Sequence, residues 1–111
     1  MKHDLEMVRE ILGAFWKIHI LHHAAEEPIA GHWMLQELRE HGYDISPGTL
    51  YPLLKRLHRR GWLDQVDSGK VGPKAAQLYR ITERGQEVLK IVKAQLDELR
   101  GELKERKSHG K

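Results

Sequence analysis

The sequence predicts a single, mainly α-helical domain that carries one small β-hairpin. Three observations lead there. Four stretches repeat apolar residues at helical spacing, and two short β-prone runs flank a turn-rich loop. The chain has 111 residues, room for one domain, with no internal repeat and no linker to divide it.

Segment 4–25 reads as the first helix. On a helical wheel at about 100° per residue, Met7, Ile11, Ala14, Ile18, Leu21 and Ala25 form one apolar stripe. Leu5, Val8, Leu12, Phe15 and Trp16 form a second, about 120° away. One stripe suffices to dock a surface helix, so two imply burial on two sides: against its own domain and against a second subunit. Glu26-Glu27-Pro28 breaks the helix, because Pro disfavours helical backbone in the residue before it.

A second helix follows over about 30–41, with Met34, Leu35 and Leu38 inward and Gly42 as its left-handed stop. Tyr43-Asp44-Ile45 connects it to a third, which Ser46 caps and Pro47 opens, since a first-turn N–H has no partner to lose. Leu50, Leu53, Leu54 and Leu57 share one face, and Gly61 ends the helix after Arg60. Pro52 removes one hydrogen bond early in it. Residues 62–66 and 77–81 read as the strands of a hairpin whose tip, 67–74, contains Lys70 and Lys74. Thr82 caps a last helix, in which Leu89, Val92, Leu96, Leu99 and Leu103 recur at 3-4-3-4 spacing, the seam of a helix packed lengthwise on another. The order gives a winged helix-turn-helix unit over 1–82 and a C-terminal dimerisation helix with a polar tail over 83–111.

Composition narrows the function. With 40% hydrophobic and 32% charged residues, the chain fits a soluble globular domain. No apolar run approaches the roughly 18 residues of a membrane span, and Met1-Lys2-His3-Asp4 lacks a signal-peptide core. The absence of cysteine excludes disulfides, thiol catalysis and cysteine zinc sites. A cytoplasmic protein is expected. Residues 1–49 hold 4 basic and 8 acidic side chains, whereas 50–84 hold 8 basic and 3 acidic. A basic block in a near-neutral chain points to a polyanionic partner on one face. With its leucines inward, the third helix presents Gly48, Thr49, Pro52, Lys55, Arg56 and Arg59 outward. Small residues at its start permit close approach to a duplex, the cations suit phosphates and base edges, and Tyr51 lies at the margin. With Ser46, Lys70 and Lys74, these form the expected double-stranded DNA interface. Solvated charges alone would explain each cation singly, but not their place on a helix-turn-helix followed by a cationic hairpin.

Gly42-Tyr43-Asp44-Ile45-Ser46-Pro47-Gly48-Thr49-Leu50-Tyr51-Pro52-Leu53-Leu54-Lys55-Arg56-Leu57 resembles the signature of PadR-like transcriptional regulators. Gly61-Trp62-Leu63 and Tyr79-Arg80-Ile81-Thr82 fit the same pattern, and the resemblance covers roughly residues 10–100. It implies a small dimeric winged-helix factor, in most cases a repressor. Such a factor pairs through its first and last helices and releases its operator when an effector binds. The single C-terminal helix is similar to that of the family's smaller subgroup. Two departures stand out. Ala75-Ala76-Gln77-Leu78 replaces the family's arginine-rich wing run, and Gly31-His32 stands where members often carry Gly-Tyr.

Eight histidines form the remaining signal. His19, His22, His23 and Glu26 fall within about a 100° arc of the first helix, a spacing that suits Zn²⁺ or another divalent transition metal. His32 is placed to approach from the second helix. The same residues also read as packing histidines near a helix end. Phe15 and Trp16 are candidates to line a pocket for a small hydrophobic effector, or to be plain core. No cofactor is required. Neither an HExxH motif, nor an inward carboxylate pair, nor a phosphate-binding glycine loop is present, so an enzyme is not expected. The leading expectation is a homodimeric, sequence-specific DNA-binding repressor released by an effector. The alternatives are a metal-responsive sensor built on the histidines and a pure interaction module built on the heptad helix.

Overall fold

A computed structural model describes residues 2–67, 69 and 77–105. The elements run α1 (Lys2–Glu26), β1 (Ile29–Ala30), α2 (Gly31–Glu40), α3 (Pro47–Arg59), β2 (Leu63–Val66), β3 (Leu78–Ile81) and α4 (Glu83–Lys104). The antiparallel sheet has the order β1-β3-β2. β3 pairs Tyr79 with Gln65 on one side and with Ile29 on the other. The third strand, β1, was not expected. Two residues carry no periodicity, and their pairing lies about fifty positions downstream, so nothing local announces it.

One core joins every helix to the sheet. α2 supplies Met34, Leu35 and Leu38, α3 all four of its leucines, and the strands Ile29, Leu63, Tyr79 and Ile81. Burial of each such side chain stabilises the fold by about 1.5–3 kcal/mol. The leucines of α3 point inward, as expected.

α1 differs from its expected two-stripe pattern. Its buried arc runs from Trp16 through Ile20 and Ala24 to Leu21, with one fully buried residue from each stripe and Leu12 and Ile18 partly buried against it. The division is along the helix rather than around it. The second half docks in the core, while Leu5, Met7, Val8 and Ile11 of the first half stay exposed, Ile11 at 64%. α4 repeats this in reverse. Leu89 is buried and Val92 and Leu96 are half-buried, whereas Leu99 and Leu103 are exposed, the latter at 74%. Leu89, expected at a subunit interface, instead belongs to the chain's own core, because the first turns of α4 pack on α1 and β3.

Helix ends follow the sequence closely, with one exception. After α2, the Gly42 N–H donates to the Arg39 carbonyl at 2.9 Å and the Tyr43 N–H to the Leu38 carbonyl at 3.1 Å. After α3, the Gly61 N–H donates to His58 and the Trp62 N–H to Leu57, both at 3.0 Å. Both are Schellman motifs, and each needs the positive φ of its glycine, 95° at Gly42 and 83° at Gly61. Thr82 caps α4 as expected: its Oγ1 accepts from the Gly85 N–H at 2.9 Å. Ser46 does not cap α3 through its side chain. Its hydroxyl donates to Thr49 Oγ1 at 3.3 Å, and its backbone carbonyl receives the Thr49 and Leu50 N–H groups. Gly85 serves a different need. A side chain there would strike the Trp62 carbonyl, so glycine lets α4 begin against the end of α3.

Candidate nucleic-acid interface

α3 holds its outward residues by the same periodicity that buries its leucines. Gly48, Thr49, Tyr51, Pro52, Lys55, Arg56 and Arg59 are all exposed, Tyr51 at 40%. Pro52 leaves the helix continuous. Among the described residues no ion pair engages Lys55, Arg56 or Arg59. The first turn of α3 contains no acid, so the positive end of its dipole is unscreened by side chains. Arg39 Nε donates to the Ile45 carbonyl at 3.2 Å, tying α2 to the connector that aims α3.

Tyr51 lies against Gly31, where a Cβ would overlap its ring, so glycine is what lets the start of α2 meet α3. Tyr51, His32, Lys55, Gln65 and Gln77 border one groove between these helices and the sheet. His32 therefore sits on the α3 side of the molecule and not with His19, His22 and His23, a correction to its expected place. The wing residues Lys70 and Lys74 lie outside the described residues.

The histidines gather differently from their helical spacing. His22 and Glu26 pair at 3.5 Å and His23 and Glu26 at 3.7 Å, but His19 joins another group. There His23 Nε2 and His41 Nε2 both approach Glu37 Oε2, at 3.4 and 3.2 Å. The His19 ring lies tilted against that of His41, with centroids 4.7 Å apart, and its Nε2 lies 3.1 Å from the Tyr43 hydroxyl. Burial and the neighbouring imidazoles, His41 foremost, lower the pKa of His19 below its ordinary value. The sequence reading missed His41 and Glu37. Their one local signal is position, at the end of the helix packed against α1.

Phe15 and Trp16 separate. Trp16 is a core residue, only 8% exposed, edge-on to Tyr43, and its indole N–H is buried with no hydrogen-bond partner among the described residues. Phe15 is half-buried and lines shallow apolar grooves with Ile18, Tyr43 and Leu96 on one side and Leu99 and Leu103 on the other.

A polar, cationic helix exposed beside a small antiparallel sheet, on a core that holds its leucines, defines a winged helix-turn-helix DNA-binding protein. Residues 20–91 match the transcriptional regulator PadR-like family. The chain is 42% identical over 102 residues to the transcriptional regulator Rv3488 of Mycobacterium tuberculosis, covering 92% of this chain and 94% of that one. A crystal structure of a PadR family transcriptional regulator from Eggerthella lenta is 31% identical, with a TM-score of 0.76 over 92% of this chain and 89% of that one. A PadR-like regulator from Bacillus cereus is 25% identical, also with a TM-score of 0.76, over 85% and 92%. The chain belongs to the PadR-like family of transcriptional regulators. Members bind DNA and are not enzymes. Among the described residues no helix is long and apolar enough to cross a membrane.

Proposed function

We propose that this regulator is a homodimeric repressor that inserts α3 of each subunit into the major groove of successive half-sites. One observation carries the reading: α3 faces solvent with Lys55, Arg56 and Arg59 unengaged by any acid among the described residues, while its leucines are fixed in the core. Gly48 and Thr49 admit close approach, Ser46 and Tyr51 reach the sugar-phosphate backbone, and Lys55, Arg56 and Arg59 supply charge and base contacts. Lys70 and Lys74 are assigned to phosphate contacts by their charge and their place in the sequence.

The homodimer is supported by the apolar residues left outside the core: Leu5, Val8 and Ile11 on α1, and Val92, Leu96, Leu99 and Leu103 on α4. Pairing these surfaces with a second copy removes them from water and sets two copies of α3 about 34–36 Å apart, one turn of DNA. Repression follows from occupancy of the operator. A small apolar effector entering beside Phe15 alters how α1 and α4 meet and so changes that spacing.

Selection of bound sites from random duplexes tests the reading. A two-fold-related site with half-sites one turn apart is expected, with affinity falling steeply as salt rises. Arg56→Ala weakens binding to the selected site by about 1–3 kcal/mol, and Lys55→Ala lowers it more evenly across sequences, both with unchanged melting temperature. Gel shifts in which both variants match the wild type would overturn the assignment of α3.

A further inference from the structure

We propose that His19, His23 and His41, with Glu37, form a binding site for a divalent transition ion of the Zn²⁺ class at the junction of α1 and α2. Each of the three imidazoles offers a nitrogen, and these ligand atoms lie within 4.8 Å of one another. Two donors on a tetrahedral ion, each about 2.0–2.1 Å from the metal, sit about 3.3 Å apart. Glu37 Oε2 already stands at such separations, 3.4 Å from His23 Nε2 and 3.2 Å from His41 Nε2. An ion would have to draw the His19 and His41 nitrogens in from separations that are already within 4.8 Å. The Tyr43 hydroxyl, 3.1 Å from His19 Nε2, holds the His19 ring in place, as an outer hydrogen bond does for a ligating imidazole.

The donor set selects the ion. Three imidazole nitrogens and one carboxylate oxygen suit Zn²⁺, Co²⁺ or Ni²⁺, whereas Ca²⁺ and Mg²⁺ require oxygen shells. Access is available, since the His41 side chain is 45% exposed while His23 and Glu37 form the inner wall. The ligands come from two elements. His19 and His23 lie on α1, Glu37 on α2, and His41 is the cap residue immediately before Gly42. An ion here would clamp α1 to the first helix of the helix-turn-helix unit. The competing group of His22, His23 and Glu26 belongs wholly to the last turns of α1. It shares His23, whose Nδ1 faces Glu26 and whose Nε2 faces Glu37, so filling both groups through that ligand would require a bridging imidazolate.

The test needs no DNA and is independent of the operator reading. The tag-free full chain is titrated with ZnCl₂ by calorimetry and with CoCl₂ by visible absorption, and melted with and without Zn²⁺. One ion per chain, a tetrahedral Co²⁺ spectrum and a raised melting temperature are expected. His41→Gln and Glu37→Gln each weaken uptake at least about tenfold, while His22→Gln leaves it unchanged. If His41→Gln lowers the melting temperature of the metal-free protein, the Glu37→Gln comparison decides in its place. No uptake by the wild type, or uptake lost with His22→Gln and kept with Glu37→Gln, overturns the site.

Discussion

α3 and the paired ends of α1 and α4 are finished to different degrees. Every leucine of α3 is in the core and its outer face is polar, so that surface is complete in the isolated chain. The first half of α1 and the second half of α4 are helices of equal regularity, yet Leu5, Ile11, Leu99 and Leu103 face water. The difference teaches what each surface is suited to meet. A polar cationic face is stable alone and suits a charged partner, whereas a line of exposed aliphatic residues is stable only when covered.

The strongest way to break this contrast is from inside. Leu54→Ala, at a fully buried position, costs about 2–5 kcal/mol by denaturant unfolding. Leu103→Ala leaves the stability of an isolated chain nearly unchanged. A Leu54→Ala variant as stable as the wild type would mean that α3 does not anchor the core. Next comes the apolar side. Ile11→Asp with Leu99→Asp places charge where the second copy is proposed to dock, and at least a tenfold rise in the dimer dissociation constant is expected by analytical ultracentrifugation. An unchanged constant would move the interface elsewhere.

A smaller effect sharpens the boundary between the two regions. Thr82 caps α4 and also donates its hydroxyl to the Gly61 carbonyl at 2.6 Å. Thr82→Ala is expected to cost about 1 kcal/mol, measured by thermal melting, with the greatest loss of amide protection in the first turn of α4.

The smallest effect is that of pH. Because the folded-state pKa of His19 is lowered, the unfolded chain binds its proton more readily. Stability is therefore full above the ordinary histidine pKa of about 6.5 and declines as pH falls from there through the lowered folded value. His19→Gln in metal-free protein should flatten the melting-temperature profile over that window. An identical profile would assign the dependence to other groups.

The outward face of α3 was legible because a 3.6-residue period, a proline start and a glycine stop all lie within one short segment. The helix order and both glycine stops were legible for the same reason. β1 was not, since its reason for existing is β3. Nor was the direction of α1: a wheel shows which residues share a face but not which neighbour that face meets, so Trp16 and Phe15 looked alike. Leu89 and Leu103 share one heptad seam yet differ in fate, because the start of α4 enters the core whereas its end meets the chain only at a shallow groove beside Phe15. His41 was missed because its partners on α1 are brought to it by packing and not by spacing.

Where α3 ends and α4 begins, the Thr82 N–H holds the Trp62 carbonyl at 3.0 Å and Gly85 removes the last side chain that would keep the two segments apart. The joint is close-packed, so a change in the direction of the long arm, α4, would be passed on to the reading head, α3. In a pair of such molecules the gap between heads would be set like the span of callipers, by the angle at which the arms cross, and a few degrees at the hinge would become ångströms at the tips.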